Sequence, residues 1–300
     1  MRVALLAAAL ALAAPAPASA RLAGEPFAFW GGEYTTRTNE HVRVFSSPSY
    51  PVDPTVNQRW ADYLASLVHG PELATVTLYR APAAEVAALC GSNVDVRGCY
   101  DDGRIVALGE DADLAATAVV AHEYGHHLAA NRTNAPWPAL AWGTKRWSSY
   151  LDVCRLARAK EIFPGAEGPL LYFFNPGEGF AEAYRLLNER RLGLPESPWR
   201  IVDEMYRPDA RALALLRQDV LEPWRANGTV TRSGRFAAGG KSTRTFGIAT
   251  PRDGELTASV SGGARLVGPA GRLVCGARTT TLRVARIGAP RPFRLTVARP

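Results

Sequence analysis

The sequence His122-Glu123-Tyr124-Gly125-His126 lies inside a long apolar stretch with helical character. On an α-helix, residues four apart lie about 40° apart on one face, so both imidazoles can reach one metal ion. Two imidazoles and a third protein ligand leave the fourth position of a tetrahedral zinc ion to water. Glu123 occupies the position from which a carboxylate can accept a proton from that water. The pattern therefore predicts a zinc site with His122 and His126 as ligands and Glu123 as general base.

An alternative interpretation is a helix with two ordinary histidines in its core or on its surface. The chain contains only five histidines in 300 residues, so this pattern rarely arises by chance. Asp111 and Asp113 precede the stretch, where negative charge favours the positive end of a helix. His127 would point about 140° away from His122, and we do not expect it to bind the metal.

A third metal ligand is expected downstream, where Asn175-Pro176-Gly177-Glu178 has the composition of a helix start. Glu182 follows Glu178 by four residues, so the two carboxylates lie on one helix face. Alternatively, both carboxylates belong to a solvated face on which Glu182 pairs with Arg185.

The stretch Glu178-Gly-Phe-Ala-Glu182-Ala-Tyr184 resembles the glutamate helix of gluzincin-type zinc metallopeptidases, notably the lethal-factor-like peptidases. The resemblance covers about residues 75 to 190. It implies that Glu178 is the third zinc ligand and that Glu182 supports a metal-bound histidine, although the two glutamates could exchange these roles. It also implies that Tyr172 stabilises the oxyanion, whereas the apolar neighbours of Tyr172 equally fit core packing.

The same resemblance implies a sheet edge along which an extended substrate peptide lies. A short strand is predicted just before the histidine helix, after the turn sequence Asp101-Asp102-Gly103. We expect this strand to provide the substrate edge, through Ile105, Val106, Ala107 and Leu108. An ordinary internal strand is the alternative.

The first 20 residues have the pattern of a secretory signal peptide, with Arg2, an apolar core and the cleavage sequence Ala18-Ser19-Ala20. We expect cleavage after Ala20, export, and no transmembrane anchor. An exported chain with four cysteines is expected to form disulfides. Cys90 with Cys99 is the favoured pair, and the sequence leaves open whether Cys154 pairs with Cys275.

The chain is predicted to have an α+β fold in two domains after the signal peptide of residues 1–20. Residues 21–226 mix helical and strand patterns and correspond to a zincin-like catalytic domain with a short mixed sheet. Residues 227–300 offer short strands separated by Gly and Pro, which predicts a small β-sandwich. This tail could bind a surface ligand or simply stabilise the enzyme.

These observations together predict an exported metallopeptidase with one zinc ion per chain. It is expected to hydrolyse peptide bonds within a protein or peptide substrate, as an endopeptidase. The net charge of +7 comes with no nucleic-acid motif, so no nucleic-acid partner is expected. The alternative is an extracytoplasmic binding or surface protein on a peptidase-like scaffold that does not catalyse turnover.

Overall fold

The computed structural model describes residues 29–91, 96–168 and 170–300, which form a mixed α+β fold. The predicted signal peptide, residues 1–20, lies outside the described residues. No helix within the described ranges has the length and apolar character needed to cross a membrane.

The first part of the chain, up to residue 221, contains all of the described helices and one main sheet. Its strands are β1 (Trp30–Thr35), β2 (His41–Ser46), β3 (Thr77–Ala81), β4 (Gly98–Asp101), β5 (Arg104–Leu108), β6 (Thr133–Asn134) and β7 (Trp137–Pro138). Its helices are α1 (Pro54–Ser66), α2 (Ala83–Leu89), α3 (Leu114–Ala130), α4 (Ala139–Trp142), α5 (Lys145–Tyr150), α6 (Val153–Ala159), α7 (Pro176–Leu192) and α8 (Ala210–Leu221).

The main sheet has the strand order β1-β2-β3-β5-β4 among the described residues. β3 pairs in parallel with both β2 and β5, while β1 and β4 are antiparallel to their neighbours. The apolar core on one side of this sheet includes buried residues of α1, α3 and α7. The sheet and the two long helices α3 and α7 therefore share one interior.

The expectation that Ile105, Val106, Ala107 and Leu108 form the sheet edge is wrong. β5 lies between β3 and β4, so both of its sides are paired. The turn at Asp102 and Gly103, both with positive φ, folds the preceding residues back along β5. β4 is thus one of the two outer strands of the described sheet, opposite β1, and the continuous apolar run of β5 is that of an internal strand.

Local sequence fixes where the two long helices begin. The side chain of Asp113 accepts a hydrogen bond from the backbone N–H of Ala116 at the start of α3. Asn175 accepts one from Gly177 at the start of α7, where Pro176 occupies the first helical position. Such caps satisfy backbone donors that a helix leaves free, so each start is well defined.

α3 and α7 cross with almost no space between their backbones. A Cβ atom added to Gly125 would lie 2.8 Å from the Cα of Ala181, closer than real Cβ contacts. Gly125 is fully inside α3, where glycine costs helix stability relative to alanine. Its presence is explained by this crossing, which only the absence of a side chain allows.

The last part of the chain forms two antiparallel sheets. Its strands are β8 (Gly228–Arg235), β9 (Thr243–Thr250), β10 (Gly254–Gly262), β11 (Ala264–Val267), β12 (Gly271–Val274), β13 (Arg278–Arg286) and β14 (Pro292–Arg299). One sheet has the order β12-β10-β14-β8 and the other β11-β13-β9. Buried side chains of both sheets form one apolar cluster, separate from the core around α3 and α7.

Two disulfides are present. Cys90 is bonded to Cys99, as predicted, and this bridge joins the end of α2 to β4. Cys154 is bonded to Cys275 and joins α6 to the turn between β12 and β13. Asp253 lies beside the second bridge, where its buried carboxylate accepts hydrogen bonds from the backbone N–H groups of Cys154 and Gly276.

We expect Gly125→Ala to destabilise the protein, because the new methyl group would overlap the backbone at Ala181. Overpacking of this kind costs about 1–3 kcal/mol, even though alanine is the better helix former. Urea unfolding would measure the loss. Gly32→Ala is the control, since a Cβ at Gly32 meets no atom within 4 Å. Equal stability of the Gly125 variant and the control would contradict the close crossing.

We expect Asp253→Asn to alter the pH dependence of stability. Burial raises the pKa of the Asp253 carboxyl from 3.8 to about 6 in the folded protein. The folded state therefore binds this proton more tightly, so the contribution of Asp253 is full below about pH 4 and is lost as pH rises through 6. The free energy of unfolding of the variant, relative to wild type, should rise by about 2 kcal/mol from pH 4 to pH 7.

Urea unfolding at several pH values tests this expectation. Glu255→Gln is the control, because it removes an exposed carboxylate two residues away. Stability differences that stay constant from pH 4 to pH 7 for Asp253→Asn would contradict the assignment.

Candidate metal centre

Three side chains converge on one point between α3 and α7. The Nε2 atom of His122 lies 3.2 Å from Nε2 of His126, and these two nitrogens lie 3.1 and 3.3 Å from Oε2 of Glu178. These are three ligand atoms of the kind that bind metals, and the group could hold a metal ion. The sequence predicted this set of residues, which is contributed by two helices that start 62 residues apart in the chain.

The two helices bring these atoms together through their crossing. His122 and His126 are one turn apart on α3, on either side of Gly125 in the sequence and next to α7. Glu178 lies in the first turn of α7, where the positive end of the helix favours a carboxylate. The cap at Asn175 fixes that first turn, so the carboxylate is held where the histidines point.

Glu182 lies behind His122, on the side away from the convergence point. Its Oε1 atom is 3.9 Å from Nδ1 of His122, which has no hydrogen-bond partner among the described residues. The other oxygen of Glu182 accepts a hydrogen bond from Arg185, which also pairs with Glu189. Because Glu182 is turned to Nδ1 and held by Arg185, the geometry favours Glu178 over Glu182 as the third ligand.

The electrostatics of the site favour a bound cation. Glu123, Glu178 and Glu182 surround two imidazoles in a poorly solvated region. Burial lowers the pKa of His122, but the hydrogen bond to Glu178 and the nearby carboxylates raise it to about 9. Burial would raise the pKa of Glu178, but His126 and His122 hold it well below its usual range. The surplus of negative charge is one that a divalent cation would compensate.

Glu123 lies on α3 beside the two histidines, with its side chain turned to strand β4. It is only 8% exposed, and this burial raises the pKa of its carboxyl group, while His122 and His126 oppose the shift. A Cβ atom added to Gly98 of β4 would lie 3.1 Å from Oε1 of Glu123. The carboxylate is therefore placed between the two histidines and strand β4.

Tyr172 lies in a short 3-10 turn, Tyr172–Phe174, just before α7. Its hydroxyl donates a hydrogen bond of 2.6 Å to Oε2 of Glu178. Burial and the negative charge of Glu178 raise the pKa of Tyr172, so the phenol stays protonated and remains a donor. The hydroxyl group is thus at the convergence point, and Tyr172 does not serve only as core packing.

The remaining histidines lie away from this group. His127 points in the other direction, with Nε2 2.9 Å from the carbonyl oxygen of Glu72. His41 and His69 approach Glu33 and Glu40, respectively. Within the described residues, only His122, His126 and Glu178 form a cluster suited to a metal ion.

Two residues near the site were not recognised in the sequence. Gly98 allows β4 to approach Glu123, and Gly125 allows the helices to cross. Gly125 lies inside the histidine pattern at a variable position, where its role depends on a helix distant in sequence. The signal that could have revealed it is a glycine in the middle of an apolar helix.

Comparison with protein-family models gives no match to this sequence, and comparison with curated proteins gives none either. The functional interpretation therefore rests on the site itself.

We expect the protein to bind one divalent ion per chain, and Glu178→Ala to weaken this binding most. Glu182→Gln should lower the affinity by about 10- to 100-fold, because it removes the negative charge that faces Nδ1 of His122. Calorimetric titration with Zn²⁺ against a competing chelator would measure both effects.

Glu161→Gln is the control for these titrations, since Glu161 is exposed and outside the cluster. Wild-type affinity in Glu178→Ala would rule out this carboxylate as a ligand. An equal loss in Glu161→Gln would show that overall charge, rather than the site, controls binding.

Proposed function

We propose that this protein is an exported zinc metallopeptidase of the gluzincin type, with a zincin-like catalytic domain. The observation that carries the proposal is the convergence of His122, His126 and Glu178 beside the buried carboxylate of Glu123. A pair of histidines one helical turn apart, a glutamate from a second helix and an adjacent free carboxylate suit metal-assisted hydrolysis.

The spacing of the ligand atoms supports zinc. Zinc binds imidazole nitrogen and carboxylate oxygen at about 2.0–2.2 Å, and a tetrahedron of such bonds has edges of about 3.3–3.6 Å. The three distances between the ligand atoms are 3.1, 3.2 and 3.3 Å, at or slightly below the lower end of that range. His122, His126 and Glu178 would hold the ion through these atoms, and a small outward movement would complete the fit.

Zinc at this position would lower the pKa of a water molecule and polarise the carbonyl group of a substrate. Glu123 would accept the proton of the attacking water and return it to the nitrogen of the departing amine. The raised pKa of Glu123 lies closer to neutral pH, so the side chain can both accept and return a proton more readily. The hydroxyl of Tyr172 would donate a hydrogen bond to the oxyanion that forms at the carbonyl.

Strand β4 is the proposed substrate edge, in place of β5. It is one of the two outer strands of the described sheet, and its Gly98 lies next to the Glu123 carboxylate. An extended peptide could pair with the backbone groups on its outer side, where no described strand is paired, which gives affinity that depends little on sequence. An open strand edge can hold substrate residues both before and after the cleaved bond. This favours cleavage within a chain, as by an endopeptidase.

Export is supported by the two disulfides, which form and persist in oxidising compartments. We propose that the chain is directed there by a signal peptide cleaved after Ala20. The alternative of a non-catalytic binding scaffold is tested by the same variant that tests the mechanism.

We expect Glu123→Gln to keep the metal and to lose hydrolysis of peptides by a factor of about 10²–10⁴, the typical contribution of a general base. The experiment combines metal analysis of the purified protein with mass spectrometry of a peptide library after incubation. Glu161→Gln is again the control and should cleave the same bonds as wild type.

Cleavage by wild type that persists unchanged in Glu123→Gln would contradict the mechanism. Metal binding by wild type without cleavage of any peptide in the library would favour the binding scaffold instead.

A further inference from the structure

Charge is divided unequally along the chain. Residues 227–300 contain 12 Arg and one Lys but only Asp253 and Glu255 as acids, so they carry a net charge of +11. Residues 1–226 carry a net charge of −4. The net positive charge of the chain is therefore concentrated in the two C-terminal sheets.

The two sheets have a docked end and a distal end. At the docked end, Cys275 forms a disulfide with Cys154. The Asp253 carboxylate accepts a hydrogen bond from the backbone N–H of Cys154, and the backbone N–H of Asp253 donates one to Oγ of Ser149. The distal end is formed by three connections: β8 to β9, β10 to β11, and β13 to β14. Because the five long strands β8, β9, β10, β13 and β14 pair in antiparallel fashion, these connections lie at the opposite end from the contact with the helices.

Basic residues are concentrated in the distal half, which comprises residues 231–247, 258–267 and 281–296. This half contains nine basic residues and no Asp or Glu. They are Arg232, Arg235, Lys241, Arg244, Arg265, Arg283, Arg286, Arg291 and Arg294. All except the half-buried Arg286 are exposed to solvent. Both acids of the C-terminal sheets lie in the docked half, and Asp253 is buried there.

These cations have no carboxylate partners among the described residues. Nine arginines of the preceding region form ion pairs, whereas no basic residue of 228–300 lies within 4.0 Å of a carboxylate oxygen of a described residue. Uncompensated like charges repel one another and destabilise a compact domain. An anionic partner would remove this cost.

The face beside these arginines carries rows of hydroxyl groups. Strand pairing places Arg294 between Ser261 and Ser233 on three neighbouring strands. The next row is Ser259, Thr296 and Thr231. Guanidinium groups bind carboxylate and sulfate oxygens through paired hydrogen bonds, and hydroxyl groups can bond to those of a sugar.

The aromatic side chains of the distal half face inward. Phe236 and Phe293 are buried in the core and Phe246 packs against it, while residues 227–300 contain no Tyr or Trp. Stacking platforms for the bases of single strands are therefore absent from the described surface of this half. Ile287 is its one large apolar side chain with high exposure, too little for insertion into a bilayer.

We propose that the distal end of the C-terminal sheets binds an acidic polysaccharide whose carboxylate or sulfate groups repeat along the chain. Repeated charges match the repeated arginines, and the hydroxyl rows lie beside them. This binding is independent of the metal centre, which lies in the other part of the chain.

The test uses the full-length protein and fluorescent heparin as the anionic probe at about 0.1 M salt. Arg232, Arg235, Arg291 and Arg294, on the neighbouring strands β8 and β14 or just before β14, are replaced together by Gln. We expect the affinity to fall about 30-fold or more, and the salt dependence of binding to become weaker. Neutral dextran should not bind the wild type.

The matched control replaces Arg158, Arg200, Arg211 and Arg217 by Gln. These four residues are exposed in the helical part, and their loss changes the net charge equally. The control should bind heparin within about threefold of wild type. Unfolding curves of both variants would show that the fold is kept, and the corresponding four-fold Arg→Lys variant should retain most of the binding.

Three results would overturn the proposal: no loss in the distal variant, an equal loss in the control, or an Arg→Lys variant as weak as the Gln variant. Binding to duplex DNA, or to vesicles that contain phosphatidylglycerol, as tight as to heparin at equal charge concentration would also overturn it. Those results would assign the distal end to nucleic acid or to a lipid surface.

Discussion

The close crossing of α3 and α7 is the contact on which the convergence of His122, His126 and Glu178 depends. Gly125 lets the backbone at Ala181 approach, and this places the carboxylate of Glu178 against the two histidines. A larger residue at Gly125 would separate the helices by part of an ångström or more. Because metal ligands need placement within a few tenths of an ångström, packing and chemistry are coupled at this one point.

The site concentrates charge where a globular core would normally exclude it. Three carboxylates lie beside two imidazoles, and Arg185 is buried with Glu182 and Glu189 just behind them. Buried ion pairs contribute little net stability, because their desolvation opposes their attraction. Burying so many charged side chains does not favour the stability of a fold. Departures of this kind are expected at functional sites.

The grouping of Glu178 with the two histidines spans a long separation and was implied by the family resemblance. Otherwise, the sequence predicted what depends on short separations and missed what depends on long ones. Histidines one turn apart, the Glu178 and Glu182 pair and the Cys90–Cys99 bridge are local, and all are found as expected. The edge strand was assigned to β5 instead of β4, because strand order depends on pairing between distant segments. The bridge of Cys154 to Cys275 spans 121 residues and could not be chosen from spacing.

The unequal distribution of charge makes the molecule a permanent electric dipole. Its positive pole is the distal end of the C-terminal sheets, and its negative pole is the part that contains the helices. The disulfide and Asp253 join the two parts, so the dipole has a defined direction within the molecule. Near any negatively charged wall the protein would turn its sheets to that wall and keep its helices outward, before a specific contact forms.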